Sequence, residues 1–275
     1  MSLPVDNPRG PGAVDFASLN AWADRLRPVA QQAGRSTLEV RARGFVVTAK
    51  QDHSPVTEAD QIAESIIVAE LERLRPSFPI VAEERVAAER PPEFEGDDFW
   101  LVDALDGTKE FVKGGDDYTV NVALIWGGVP VLGIVHAPAR GETYVGVTDP
   151  GGTARRAELW RNGRPEKICV RQRSARVVIA GSKSHEVPEL MDPFLAQYDV
   201  ERKIAIGSSL KFCLVAAGVA DLYPRFGPTS EWDIGAGHAV VRAAGGRVHT
   251  FDGAEVRYKK PNFRNGRFLA EGPSV

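Results

Sequence analysis

Four short stretches of this sequence place acidic side chains at the end of an apolar run or in the first turn of a predicted helix. They are Asp60, Glu83-Glu84, Asp103–Thr108 and Trp232-Asp233. Loops at strand ends form the rim of a sheet, where ligands commonly bind. Carboxylates gathered there would repel one another, so a cation is expected among them. Mg²⁺ suits such a site, because it combines one or two carboxylates with waters and phosphate oxygens.

The stretch Asp103–Thr108 reads Asp-Ala-Leu-Asp-Gly-Thr. Its two acids are three residues apart and are followed by Gly107, whose backbone freedom permits a tight turn. Such a turn can direct both carboxylates and an intervening carbonyl at one region. An EF-hand is a poor interpretation, because glycine stands fifth rather than sixth and the flanks resemble strands. Two plainer interpretations stay open elsewhere: Glu83-Glu84 as a solvated surface pair, and Asp233 as a helix cap.

The elements that must position these acids are predicted from hydrophobic periodicity. Amphipathic helices are expected over Asp15–Ala33 and Thr57–Leu74, and Thr57 with Asp60 resembles a capping box at the start of the second. Several strands are predicted after these helices, and Gly127-Gly128 is a two-residue hairpin signal between Tyr118–Trp126 and Val129–His136. The predicted strands of this half are Arg43–Lys50, Pro79–Ala82, Phe99–Val102, Tyr118–Trp126, Val129–His136 and Thr143–Gly146.

The second half begins with Asp149–Arg176, a polar, arginine-rich segment that is expected to cross between two halves of the molecule. Gly235-Ala236-Gly237 lacks the third glycine of a dinucleotide fingerprint and therefore predicts close helix packing. The remaining predicted elements are the strands Val177–Ala180 and Asp221–Arg225 and the helices Ser209–Ala220 and Asp233–Ala244.

This order of elements predicts an α/β protein with an α+β N-terminal half and an α/β C-terminal half. We divide the chain into a flexible leader 1–14, a metal-binding half 15–148 and a half 149–275 that completes the site. The chain has 275 residues, of which 43% are hydrophobic and 26% charged, an ordinary balance for a globular protein.

The composition also bears on partners and location. The net charge of −3 gives no basic face for nucleic acid or an anionic membrane. Two cysteines, Cys169 and Cys213, without a signal-peptide pattern favour free thiols in a cytoplasmic protein. No apolar run approaches the roughly 20 residues that span a bilayer.

Taken together, three of these motifs resemble the inositol monophosphatase superfamily, and the similarity runs from Phe16 onward. They are Glu83-Glu84, Asp103–Thr108 after an apolar strand, and Trp232–Gly237. Further stretches resemble one branch, the bacterial CysQ-type 3'(2'),5'-bisphosphate nucleotidases. These stretches are Asp106–Phe111, Gly181–His185, Gly207–Cys213 and Tyr223–Pro228.

The resemblance implies a layered α-β-α-β-α sandwich of the inositol monophosphatase/fructose-1,6-bisphosphatase type. It also implies hydrolysis of the 3'-phosphate of adenosine 3',5'-bisphosphate to AMP and phosphate, a role in sulfur metabolism, and inhibition by lithium. Two or three Mg²⁺ ions are implied as cofactors. Their implied ligands are Glu83, Asp103, Asp106, Asp233 and the carbonyl of Leu105.

The resemblance further implies that Thr108 and Asp60 position the attacking water. The residues expected to bind substrate are Gly107, Thr108, His185, Ser208, Ser209, Lys211, Arg225 and Asp233. Two departures from the family pattern bear on efficiency rather than on the ligand set. Ala104 stands where the family usually has proline, and Gly235 stands where alanine is common.

The second phosphate of such a substrate needs its own site. Ser208-Ser209 opens a predicted helix, whose free N–H groups suit an anion. Lys211 and Arg225 could neutralise that anion. Equally, Lys211 could be a surface lysine, Arg225 a structural ion-pair partner and His185 an ordinary exposed loop residue.

Two other functions compete with the nucleotidase. One is an inositol monophosphatase or broad sugar phosphatase, and the other is a non-catalytic module that binds a nucleotide or metal on the same scaffold. The complete set of acidic residues argues against the binding-only function, because a module that only binds would not need all of these acids. The expected partner is a small nucleotide bisphosphate, and the sequence carries no signal for an oligomeric state.

Overall fold

A computed structural model describes residues 14–49, 55–75, 77–88, 92–183 and 186–274. Apart from Val14, the predicted leader lies outside the described residues, and so does His185. Within the described part, no helix is long and apolar enough to cross a membrane.

Seven α-helices, two short 3₁₀ helices and sixteen strands are assigned in these ranges. The helices are α1 Phe16–Arg43, α2 Glu58–Leu74, α3 Glu83–Ala88, α4 Thr108–Val112, α5 Pro188–Leu195, α6 Leu210–Ala216 and α7 Glu231–Ala243. The strands are β1 Thr48–Ala49, β2 Pro55–Val56, β3 Ile80–Ala82, β4 Phe99–Asp106, β5 Thr119–Trp126, β6 Val129–Ala137, β7 Glu142–Thr148, β8 Arg155–Arg161, β9 Arg164–Lys167, β10 Arg176–Ser182, β11 Asp199–Ile206, β12 Leu222–Arg225, β13 Thr229–Ser230, β14 Arg247–His249, β15 Arg264–Asn265 and β16 Phe268–Glu271.

Two large sheets and three helical layers alternate through the molecule. The first sheet has the strand order β3-β4-β5-β6-β7-β8-β9, and the second has the order β11-β10-β12-β16-β14. Helices α1 and α2 share one hydrophobic core with the first sheet, while α6 and α7 fill the core between the two sheets. Helix α5 covers the outer face of the second sheet. The predicted α-β-α-β-α sandwich is confirmed.

Helix α1 continues beyond the predicted end at Ala33 to Arg43. Ser36 and Thr37 lie on its buried side, where each hydroxyl donates a 2.7 Å hydrogen bond to the carbonyl three residues earlier. These satisfied polar residues obscured the apolar pattern. The predicted strand Arg43–Lys50 is therefore wrong over most of its length, and only β1 remains.

Other predicted elements are close to the structure. Helix α2 begins with the predicted capping box, in which Thr57 N donates to Asp60 Oδ2 at 2.8 Å. The Gly127-Gly128 hairpin is also confirmed, since Trp126 pairs with Val129 across it.

The segment Asp149–Arg176, which was predicted to cross between two halves, is more regular than its polar composition suggested. It contains β8 and β9, which pair as a hairpin at the edge of the first sheet. The first sheet thus continues past residue 148, and the chain passes to the second sheet between Lys167 and Arg176. The division into two functional halves stays a prediction. Sequence patterns also missed α5, β11, β14 and β16.

Candidate active site

Three separate elements bring acidic side chains to one point. Strands β3 and β4 are parallel neighbours with Ala82 opposite Val102, so Glu83, just after β3, and Asp103, within β4, lie at the same level of the sheet. Asp233 lies in the first turn of α7. One carboxylate oxygen from each of the three residues lies within 4.8 Å of the others. A chain segment of about 130 residues separates Asp103 from Asp233, so only the fold brings them together.

Burial makes this acidic group costly without a cation. Asp103 is 2% exposed, and burial raises its pKa, with the charges of Glu83, Asp106 and Asp233 raising it further. Burial also raises the pKa of Asp233, as do Asp106 and Glu83. An all-oxygen donor set of this kind fits a hard divalent cation such as Mg²⁺.

Asp106 lies beside this group rather than within it. Its Oδ2 accepts hydrogen bonds from Ser208 Oγ and Ser209 N, both at 2.7 Å. Burial raises the pKa of Asp106, and the hydrogen bond from Ser208 and the charge of Lys211 oppose that rise. Oδ2 is thereby fixed by two donors, which leaves Oδ1 as the oxygen available to a ligand.

A cluster of hydroxyl groups behind Asp106 was missed in the sequence. Thr119 Oγ1 lies 2.5 Å from Ser208 Oγ and 2.8 Å from Ser209 Oγ, and Ser209 Oγ also donates to Asn121 Oδ1 at 2.8 Å. Thr119 and Asn121 are polar residues two apart in an apolar strand. That spacing puts them on one face of β5 and was the available signal.

The anion site predicted at Ser208-Ser209 differs in the structure. Helix α6 begins only at Leu210, and the Ser209 N–H that was expected to be free donates to Asp106. Ser208 has φ 56°, so the backbone turns sharply to point both serines at that carboxylate. Asp106 therefore occupies the place that was predicted for a phosphate.

Lys211 is not the surface lysine considered as an alternative, since it is 3% exposed. Its Nζ donates to the carbonyls of Ile206 and Ser208. Burial lowers the pKa of Lys211 to about 8, against the opposing charge of Asp106. The lysine therefore braces the Gly207–Ser209 turn from within.

Arg225 lies at the end of β12 and lines the cavity. Its guanidinium donates to the carbonyls of Gly227 and Pro228, both at 3.2 Å. No carboxylate among the described residues forms an ion pair with it, in contrast to the structural alternative.

Thr108 and Asp60 meet as the resemblance implied. Thr108 Oγ1 lies 3.2 Å from Asp60 Oδ1 and 3.1 Å from the carbonyl oxygen of Leu105. Gly107 before it has φ 95°, and a Cβ there would come within 2.9 Å of the carbonyl oxygen of Asp117. Glycine is therefore required at this turn.

Helix α2 holds a second part of the site through Glu64, which sequence reasoning missed. Glu64 is 4% exposed and accepts hydrogen bonds from Glu84 N at 2.8 Å and Arg85 N at 3.1 Å. Burial raises its pKa. Glu64 follows Asp60 by four residues, so one face of α2 contacts both the Thr108 turn and the Glu83 turn.

Asp117 is another buried acid that was missed. It accepts hydrogen bonds from Arg140 and Lys183, and from Gly207 N at 3.3 Å. Burial favours its neutral form, but the hydrogen bonds from Lys183 and Arg140 outweigh burial and lower the pKa of Asp117. This cluster ties the end of β10 to the first sheet beside the site.

A cavity of about 850 Å³ opens above these groups, a volume in the range of ligand pockets. Nearly all predicted site residues line it. Asp60 lies behind Thr108 instead, and His185 is outside the described residues. The predicted site residues in the cavity wall are Glu83, Asp103, Leu105, Asp106, Gly107, Thr108, Ser208, Ser209, Lys211, Arg225 and Asp233.

The two departures from the family pattern are accommodated by packing. Ala104 is 3% exposed and belongs to the core beneath α1 and α2. A Cβ at Gly235 would lie 2.9 Å from Leu101 Cδ1, and one at Gly237 would lie 2.5 Å from the Phe212 ring. The predicted close packing of this glycine pair is confirmed.

Residues 20–272 match the family described as the inositol monophosphatase family. The chain is 41% identical over 254 residues to the 3'(2'),5'-bisphosphate nucleotidase CysQ of Escherichia coli K12, covering 89% of this chain and 97% of that protein. The CysQ protein of Salmonella typhimurium is 42% identical with the same coverage.

Solved structures agree with these relatives. The crystal structure of CysQ from Bacteroides thetaiotaomicron, titled a bacterial member of the inositol monophosphatase family, has a TM-score of 0.75 at 33% identity and covers 94% of this chain and 98% of that one. The Thermotoga maritima IMPase has a TM-score of 0.71 at 27% identity and covers 91% and 92% of the two chains.

Proposed function

We propose a function from the premise that this chain belongs to the inositol monophosphatase family. The chain is a divalent-cation-dependent phosphatase that removes the 3'-phosphate of adenosine 3',5'-bisphosphate, giving AMP and phosphate. The observation that carries the chemistry is the convergence of Glu83, Asp103 and Asp233 within 4.8 Å on the cavity wall. The choice of substrate rests on the CysQ relatives at about 41% identity.

Mg²⁺ is the proposed cofactor. Glu83, Asp103, Asp233, Oδ1 of Asp106 and the carbonyl of Leu105 would hold two or three ions. Bound there, the ions would offset the charge of the phosphate and of the carboxylates and make a water molecule more acidic. The raised pKa values of Asp103 and Asp233 support this assignment. They reflect burial and repulsion between neighbouring carboxylates, and a bound cation would relieve that repulsion.

Thr108 and Asp60 would direct the attacking water. A hydroxyl has one proton and two lone pairs, while an ionised carboxylate only accepts. Asp60 Oδ1 would accept the hydrogen bond that Thr108 Oγ1 donates, so the threonine oxygen could accept a hydrogen bond from water and orient it toward phosphorus. Asp60 Oδ2 is meanwhile held by Thr57 N, which keeps the carboxylate from rotating.

No protein nucleophile is needed for this reaction. Neither cysteine lines the cavity: Cys213 is fully buried and Cys169 is exposed elsewhere. Direct attack by water on a phosphate monoester requires chiefly positioning and charge stabilisation. The residues of this cavity provide both.

Product analysis tests the proposal. Incubation of the purified protein with adenosine 3',5'-bisphosphate and Mg²⁺ should release AMP and phosphate, and a chelator should abolish the release. Chromatography separates AMP from adenosine 3'-phosphate. Accumulation of the 3'-phosphate would show that the other ester is cleaved, and phosphate release that persists in chelator would contradict the cation site.

A further inference from the structure

We propose that Arg264 binds the phosphate group that is not hydrolysed, together with Arg225, and so sets the preference for a bisphosphate. This inference rests on the proposed nucleotidase function and adds a residue that sequence reasoning did not place in the site. Arg264 lines the same cavity as Arg225 and the acidic group.

Strand pairing fixes the position of Arg264. It begins β15, where it pairs with Ser230 of β13, and its Nη1 donates to Ser230 Oγ at 3.1 Å. Ser230 is the N-cap of α7, and its own N–H donates to Asp233 Oδ2 at 2.8 Å. Arg264 is therefore linked through Ser230 to Asp233, a candidate metal ligand.

Both arginines have unused donors. A guanidinium carries five N–H groups, of which Arg264 uses one toward Ser230 and Arg225 uses those toward the carbonyls of Gly227 and Pro228. Among the residues with described positions, neither arginine has a carboxylate within ion-pair distance. The planar fork of arginine matches the oxygens of a phosphate.

Two lysines at or near the cavity already have partners. Lys211 is enclosed and donates to two backbone carbonyls. Lys183 is paired with Asp117. Arg225 and Arg264 thus present guanidinium groups in the same cavity as the acids, where they suit a second anionic group beside the one that cations would hold.

The test compares Arg264→Met with wild type on two substrates, adenosine 3',5'-bisphosphate and adenosine 3'-phosphate, in Mg²⁺. The second compound lacks only the 5'-phosphate. Because Arg264 is exposed, we expect a loss at the lower end for a charged hydrogen bond, about tenfold in kcat/KM for the bisphosphate, and no change for the monophosphate. Competitive inhibition by AMP, which retains the 5'-phosphate, should weaken by a similar factor.

Arg267→Met is the matched control, since Arg267 is an exposed arginine three residues away that does not line the cavity. It should behave as wild type on both substrates. The inference is overturned if Arg264→Met keeps the wild-type preference for the bisphosphate or lowers kcat/KM equally for both substrates. It is also overturned if Arg267→Met lowers kcat/KM for the bisphosphate as much as Arg264→Met does. A wild-type enzyme that hydrolyses neither adenosine substrate would instead contradict the proposed function itself.

Discussion

Replacing Asp103 by Asn should remove activity and yet stabilise the cation-free protein. Asn keeps the shape of the side chain and an oxygen that can accept the 3.1 Å hydrogen bond from Leu105 N. It removes one of three charges whose oxygens lie within 4.8 Å of one another. At an effective dielectric constant of about 20, two unit charges at this distance repel by about 3.5 kcal/mol.

The gain in unfolding free energy is smaller than that repulsion, because the wild-type group lowers its charge by binding protons. We expect about 1–2 kcal/mol at neutral pH, or a rise in Tm of about 2–8 °C for a chain of this size. The folded-state pKa of Asp103 is raised above its unfolded value, so wild-type stability falls as pH rises above about 4. The advantage of the variant should therefore grow with pH and vanish in acid.

Thermal unfolding followed in chelator and in Mg²⁺ measures both effects. Wild type should gain about 2.7 kcal/mol at a Mg²⁺ concentration one hundred times its Kd, whereas Asp103→Asn should gain far less. Asp117→Asn is the matched control, because Asp117 is a buried acid with a lowered pKa and should lose stability when neutralised. A less stable Asp103→Asn in chelator, or equal stabilisation of both proteins by Mg²⁺, would refute the reasoning.

Two further predictions concern the groups around the acids. Thr108→Val and Asp60→Asn should each lower kcat by about 10²–10⁴-fold. Because the two residues act as a unit, the kcat of the double variant should be no lower than that of the poorer single variant. Losses in kcat that multiply would show that the two residues have separate roles. Thr119→Val should raise the Mg²⁺ concentration needed for half-maximal activity about tenfold by loosening Asp106. Thr148 is a buried threonine whose hydroxyl has no hydrogen-bond partner within the described ranges. Thr148→Val should therefore leave that concentration unchanged, and equal effects of the two substitutions would contradict the role of Thr119.

The sequence was sufficient where local rules decide the structure. The capping box at Thr57 and the apolar strand before Asp103 are both encoded within a few residues, and both are present. The hairpin at Gly127-Gly128 is likewise encoded by adjacent residues. The meeting of Thr108 with Asp60 is not local and came from the family resemblance, which carries information about tertiary structure.

The rest depends on contacts between segments far apart in the chain. Ser209 was expected to offer a free N–H to phosphate, and only the fold shows that Asp106 takes it. Lys211 could have been a lysine on the polar face of its helix, but it is buried, with its ammonium over the ring of Tyr223 in the second sheet. Arg264 lies in a short strand without a motif, and its place depends on pairing with Ser230.

The most direct test of the central claim is a comparison of kcat/KM for adenosine 3',5'-bisphosphate and inositol 1-phosphate in the presence of Mg²⁺. Two charged hydrogen bonds to the second phosphate, each worth about 1.5–3 kcal/mol, predict a preference of at least a hundredfold for the bisphosphate. Equal or faster hydrolysis of inositol 1-phosphate would contradict the nucleotidase assignment and identify the chain as an inositol monophosphatase.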